Sequence, residues 1–266
     1  MEAKAHFGAG NSKNRGNKMY KSKKIACVIP ARLNSTRFPK KVLASLKGKP
    51  LIQWVWEAAL ACKLFDEVVI AVDAVETAEV VASFGGNYRF TATNCPSGTH
   101  RIIELLDSLD AEVIVNWQGD EPFIHVAMIE DLLQSCDNEQ EDLWTLRKRL
   151  SDEAQIRSPQ IVKVVVDSQG QALYFSRAPI PFYRELCDLS EQEVYKHIGI
   201  YAYSKESLYK IAALPSCLIE EAEKLEQLRF LYHGLKVRVH ETRHETVGID
   251  LLEHLFQAEV FIDSCV

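Results

Sequence analysis

Two aspartates and a knot of cations are the residues of this chain best suited to chemistry. Asp120 closes the run "VIVNWQGDEP", and Asp250 closes "TVGID" just ahead of a helical stretch. Carboxylates at the end of a buried strand are hard oxygen donors, the kind that hold Mg²⁺ against substrate phosphates. An aspartate in either place also works as a helix N-cap, the commoner job of a lone Asp there. The metal assignment therefore requires two acids 130 residues apart in the chain to meet in space.

The cations sit in residues 29–41, "IPARLNSTRFPKK", directly after another apolar run. Arg32, Ser35, Thr36, Arg37 and Lys41 make up a set able to cradle a triphosphate, Arg binding phosphate bidentately and Lys supplying a movable charge. A loop with its cations solvated explains the same composition. There is no GxxxxGK[ST] and no GxGxxG, so neither the P-loop nor the usual dinucleotide fingerprint applies. In "CPSGTHR", Ser97, Gly98 and Thr99 form a tight polar turn that could face a base or sugar, or simply cap the next helix. His100 and Arg101 could contact substrate, but as surface residues of that helix they need no function. Glu226 and Gln227 lie in "EEAEKLEQLR", whose charged residues fit a solvated face, while Arg177 and His197 flank strands of the second half.

The elements that must position these groups follow from periodicity. Apolar runs at 24–29, 67–72 and 112–117 predict buried strands, the first closed by Pro30. Helices are predicted at 50–62, 76–84, 101–109 and 126–136, with a short strand at 88–90. Strand, loop and helix repeated in this way predict a three-layer α/β/α fold around a mixed, mostly parallel sheet. Ligands bind such sheets at the carboxyl ends of the strands, and the segments 30–41, 95–101 and 118–122 all fall there. The second half predicts strands at 162–166, 172–175, 198–203 and 236–240, with helices at 205–213 and 220–232 and from 251. Residues 24–266 are expected as one domain with a lobe inserted near 170–203.

Composition narrows the class. With 31 Lys/Arg against 37 Asp/Glu the chain is acidic overall, which argues against a general nucleic-acid binder. No apolar run approaches a membrane span, so no membrane insertion is expected. Seven scattered cysteines without a CxxC pair suit reduced thiols in a cytoplasmic protein, with Cys27 and Cys62 as core filler. Residues 1–23 are basic, polar and without a secretory apolar stretch, which predicts a disordered leader, with Met19 a candidate start.

Taken in order, "IPARLNSTRFPKK", "SGTHR", "NWQGDEP", "SPQIVKVV", "ALYFSR", "HIGIYAY", "EKLEQLR" and "VGID" resemble the 3-deoxy-manno-octulosonate (Kdo) cytidylyltransferases, the CMP-Kdo synthetases of Gram-negative bacteria. The resemblance runs from about Lys24 to the last helix. It implies transfer of CMP from CTP to Kdo with Mg²⁺ as cofactor, in a homodimer serving lipopolysaccharide synthesis. By match to the motifs, Arg32 and Lys41 hold the triphosphate with Ser35 and Arg37 beside them. Gln118 and residues Ser97, Gly98 and Thr99 line the nucleotide pocket. Asp120 and Asp250 hold the metal, while Arg177, His197, Glu226 and Gln227 form the sugar side. A cytidylyltransferase for another sugar acid such as sialic acid, or a nucleotide sensor without turnover, are the alternatives. One departure stands out: Lys40 occupies a position where the family carries Gly, and a Lys there is penalised in any left-handed conformation.

Overall fold

The computed structural model of the protein describes residues 23–34, 38–185, 188, 191–246, 248–249 and 251–265. Ser35, Thr36, Arg37, Asp250 and the leader up to residue 22 lie outside the described residues.

In chain order the first half comprises β1 (Ile25–Ala31), the short strands β2 (Ser45–Leu46) and β3 (Lys49–Pro50), α1 (Leu51–Ala61), β4 (Glu67–Val72), α2 (Val75–Ser83), β5 (Tyr88–Phe90), α3 (Gly98–Ile103), β6 (Val113–Asn116) and α4 (Val126–Leu133). The second half comprises β7 (Leu143–Arg149), α5 (Glu153–Arg157), β8 (Lys163–Val166), β9 (Ala172–Ser176), β10 (Tyr195–Ser204), α6 (Lys205–Ala212), α7 (Leu218–Glu223), α8 (Gln227–Tyr232), β11 (Val237–Glu241) and α9 (Leu252–Cys265).

The main sheet runs β11-β7-β10-β6-β1-β4-β5. β1 lies parallel to β4 and β6, β4 to β5, and β7 to β11. Only β10 runs against its neighbours β6 and β7, and β8 and β9 extend the sheet from it in antiparallel pairing. The fold is the mixed, mostly parallel sheet that the repeated strand–helix pattern predicts.

β1 shows why helices cover both faces. Every residue of it is buried, and successive side chains of a strand point to opposite faces. Ile25, Cys27 and Ile29 enter one core with Ile52, Val55 and Trp56 of α1 and Met128, Ile129 and Leu132 of α4. Ala26 and Val28 enter the other, with Ile102 of α3 and Leu208 and Ile211 of α6. Full burial of an Ile or Leu contributes about 1.5–3 kcal/mol, so the continuous apolar runs specify a central strand. The strand continues through Pro30 to Ala31, beyond its expected end. Pairing with β6 stops at Val28, and a Pro without an N–H is tolerated where one side of the strand has no ladder partner.

Other boundaries shift for identifiable reasons. Residues 220–232 form two helices rather than one, because Lys224 adopts a left-handed backbone with φ +54° between α7 and α8. The helix expected at 101–109 starts at Gly98, capped by the Ser97 side chain accepting from the His100 N–H, and ends at Ile103. Cys27 and Cys62 are buried free thiols in the first core.

Lys40 is left-handed with φ +53° and precedes a short 3₁₀ turn. Such a backbone costs a side-chain-bearing residue about 1–2 kcal/mol. Its ammonium pairs with Glu76 at 2.6 Å, both groups being about half exposed, and a pair of that kind contributes little. Lys40→Gly is therefore expected to stabilise the protein by about 0.5–1 kcal/mol after the entropy cost of Gly. A thermal melt rising by about 1–4 °C checks it; a lower melting point would show that the ion pair outweighs the backbone strain.

Candidate active site

The turns after β1 and β6 meet at the carboxyl edge of the sheet because these strands are parallel neighbours. Between them opens a cleft of about 320 Å³ whose walls carry Arg32 and Lys41 from the first turn, Cys95, Ser97, Gly98 and Arg101 from the third, and Gln118, Gly119 and Asp120 from the second. The volume lies at the lower end of the range for small-molecule sites. All three segments suspected from the sequence thus face one space.

Gly119 lets the two turns touch. A Cβ there would lie 2.8 Å from the carbonyl oxygen of Pro30, too close for any side chain. Its closest neighbour is the backbone of β1.

Lys41 is 9% exposed, and its ammonium hydrogen-bonds the Asp120 carboxylate. The carboxylate is therefore already arranged around a cation, a position suited to a hard metal ion. Asp250 lies outside the described residues, but its neighbour Ile249 donates its backbone N–H to the Asp120 carbonyl at 2.9 Å. That bond brings "VGID" beside "QGDEP". Among the described residues no three His, Cys, Asp or Glu side chains converge as a ready-made cage. Mg²⁺ held by one or two carboxylates and substrate phosphates needs none.

Polar groups run from the nucleotide candidates to the sugar candidates. Gln118 donates to Asn116 at 2.8 Å, and Asn116 and Thr99 lie beside the hydroxyl of the buried Tyr203. Thr99 and Ser97 donate to the two oxygens of Glu226 at 2.5 and 2.6 Å. Burial pushes the Glu226 carboxyl up, but the His100 ring 3.6 Å away, the bonds from Ser97 and Thr99 and the charge of Arg229 outweigh it and hold it below the ordinary value. Glu226 is thus ionised and occupied by the 97–99 turn. Gln227, next in the chain, is buried in the first turn of α8.

Arg177 follows β9. Its backbone N–H donates to the Glu223 carboxylate at 2.9 Å, its Nε to the Glu223 carbonyl at 2.8 Å and its Nη1 to the Pro159 carbonyl at 3.1 Å. His197 packs between the rings of Phe175 and Tyr201 at 4.9 and 5.4 Å and bonds Thr145 at 2.9 Å. Burial pushes its pKa down to about 3. His197 therefore offers a hydrogen bond but no charge, and of the two only Arg177 can counter an anionic substrate.

Arg101 departs most from expectation. It is a buried residue, 3% exposed, ion-paired with Asp73 at 3.2 Å. Asn116 and Tyr203 were missed, although a polar Asn ending an otherwise apolar strand was a usable signal.

A cytidylyltransferase family profile matches residues 26–238. The chain is 46% identical over 249 residues to 3-deoxy-manno-octulosonate cytidylyltransferase of Thermodesulfovibrio yellowstonii, covering 90% of this chain and 98% of the relative. It is also 46% identical over 220 residues to 8-amino-3,8-dideoxy-manno-octulosonate cytidylyltransferase of Shewanella pealeana, covering 81% and 89%. Among solved structures, a CMP:2-keto-3-deoxy-manno-octonic acid synthetase complexed with CTP superposes with a TM-score of 0.86 at 37% identity, covering 91% of this chain and all of that one. The 4-diphosphocytidyl-2C-methyl-D-erythritol synthase of Anaerococcus prevotii, at 14% identity and a TM-score of 0.61 over 91% of this chain and 99% of that one, shares the fold.

Proposed function

The chain belongs to the 3-deoxy-manno-octulosonate cytidylyltransferase family, and on that premise we propose that it transfers CMP from CTP to Kdo with release of pyrophosphate. The observation that carries the proposal is the cleft that joins Arg32 and Lys41, Ser97 and Gly98, and the 118–120 turn. In the reaction the C2 oxygen of Kdo forms a bond to the α-phosphorus of CTP. The bond from that phosphorus to the bridging oxygen breaks, and the hydroxyl proton is lost to solvent.

No covalent intermediate is required, so positioning and charge neutralisation carry the catalysis. Arg32 and Lys41 neutralise the triphosphate, with Ser35 and Arg37 assigned beside them by sequence. Gln118 and the 97–99 turn, held by Glu226, shape the nucleoside pocket, where Gly98 leaves room against Gln118. Asp120 and Asp250 are the residues to hold Mg²⁺, which when bound screens phosphate charge and acidifies the attacking hydroxyl. The cation already on Asp120 and the Ile249 bond support that pairing.

Arg177, His197 and Gln227 are assigned to the sugar side, Arg177 to the Kdo carboxylate through the N–H groups its two carbonyl bonds leave over. Arg177→Ala should then raise the KM for Kdo about tenfold or more, with the KM for CTP unchanged. Steady-state kinetics checks this; an effect confined to CTP would move Arg177 to the other side of the cleft. The lobe near 170–203 is assigned to sugar binding and to a homodimer contact, and the protein to the cytoplasm and to lipopolysaccharide precursor synthesis. No described helix is long and apolar enough to cross a membrane.

A pyrophosphate-release assay tests the proposal. Release is expected with CTP and Kdo and not with ATP, GTP or UTP. Arms with the 8-amino analogue and with sialic acid establish the sugar. Release with sialic acid and not Kdo would overturn the substrate, and tight CTP binding without turnover would make the chain a nucleotide sensor.

A further inference from the structure

We propose that Asp73 and Arg101 form a positioning pair that sets the backbone of the turn after β1 and so aims Arg32 at the triphosphate, an inference that rests on the CTP assignment above. The two side chains are 9% and 3% exposed. Removing two charges from water costs more than their attraction returns unless the remaining hydrogen-bonding groups are filled. Here three guanidinium N–H groups and both carboxylate oxygens are filled, and the partners come from separate segments.

Arg101, on α3, donates Nη2 to Asp73 at 3.2 Å and Nη1 to the Thr91 hydroxyl and to the Ala92 carbonyl, the latter at 3.2 Å. Thr91 in turn donates to the carbonyl of Val72 at 3.0 Å, closing the cluster onto the end of β4. The other Asp73 oxygen accepts the backbone N–H of Leu33 at 2.9 Å. Four segments at the carboxyl edge, those after β1, β4 and β5 and the start of α3, are thereby joined through one carboxylate and one guanidinium.

The Leu33 bond gives the pair its role. Leu33 directly follows Arg32, whose exposed side chain lines the cleft. An exposed Arg on a turn would spend most of its affinity for phosphate on ordering itself. A fixed N–H one residue away removes much of the backbone part of that cost. An apolar pair of similar volume would fill the space behind the cleft equally well, but it could not accept the Leu33 N–H. The retention of two buried charges where packing alone would serve is what points to positioning.

Two kinds of variant separate positioning from simple support. Asp73→Asn offers one acceptor oxygen where two are used, so Leu33 and Arg101 compete for it. Arg101→Lys keeps a charge beside Asp73 but cannot also span Thr91 and Ala92. The experiment measures CTP binding by calorimetry in magnesium-free buffer for wild type, D73N, R32A and the double variant, together with both KM values and the melting temperature. D73N is expected to weaken CTP binding about tenfold, or about 1.4 kcal/mol. The double variant should bind no more than about twofold worse than R32A, because both changes remove the same contact. The KM for Kdo should stay within about twofold, whereas general loosening would move both substrates. R101K should show a smaller loss of the same kind and serves if D73N does not fold.

Fully additive effects of D73N and R32A, or unchanged CTP affinity in D73N and R101K despite lower melting points, would overturn the inference and leave the CTP assignment standing. A wild-type protein that does not bind CTP would remove the assignment itself, and the positioning role with it.

Discussion

Asp120→Asn should lower kcat by about a hundredfold or more while leaving CTP binding in magnesium-free buffer within a few-fold of wild type. The substitution keeps the shape of the side chain and one acceptor oxygen but removes its charge. In the structure that charge is met by the Lys41 ammonium, with the Asp120 side chain 26% exposed at the cleft wall. With the carboxylate gone, Lys41 remains to meet the triphosphate, so ground-state binding without metal survives. What is lost is the group assigned to hold Mg²⁺ against phosphates whose charge shifts as the α-phosphorus is attacked. Rapid-quench kinetics beside calorimetry separates the two effects. A variant turning over near the wild-type rate would remove Asp120 from the metal site.

Lys163→Met is the largest expected effect on stability. Lys163 is fully buried in β8, and its ammonium donates to the carbonyls of Ser158, Ile161 and Arg177 at 2.9, 2.6 and 2.6 Å. Burial lowers its pKa, Glu223 working against that shift and Arg177 with it. Keeping the ammonium charged therefore costs free energy that Met would not. Against that saving stand three carbonyls that lose the ammonium: Ser158 keeps the Ile161 N–H at 3.3 Å, while the other two cost about 1–3 kcal/mol each if left unsatisfied. The carbonyls win, and a net loss of about 2–4 kcal/mol is expected, which lowers the melting temperature by about 5–15 °C for a chain of this size. An unchanged melting point would mean that these carbonyls find other donors. Because one of them belongs to Arg177, a rise in the KM for Kdo should accompany the loss.

The parts of the fold that could be read from sequence are those where one local pattern suffices. β1, β4 and β6 are continuous apolar runs because helices cover both their faces, and α1 and α4 carry apolar residues at helical spacing for the same core. β7 escaped notice because its second half, Arg147, Lys148 and Arg149, leaves the core. Its cations are balanced only across space, Arg147 by Glu241 and Lys148 by Glu245. The break between α7 and α8 is invisible to periodicity, since Ile219 before the left-handed Lys224 and Leu225 and Leu228 after it pack into one core. In the site, the segments were legible as motifs, and the non-local links were not. The Ser97 and Thr99 bonds to Glu226 span well over a hundred residues, and Asp73 with Arg101 spans 28. No spacing rule joins such pairs, so Arg101 looked like a surface residue until its partners were placed.

The most direct test of the account follows phosphorus itself. ³¹P NMR of the wild-type protein with CTP, Kdo and Mg²⁺ should show the α-phosphate signal of CTP replaced by a phosphodiester signal, with pyrophosphate appearing in equal amount, and no change when Kdo is left out. CTP remaining intact while bound, or breaking down to CDP and orthophosphate, would contradict the transfer of CMP to the sugar acid.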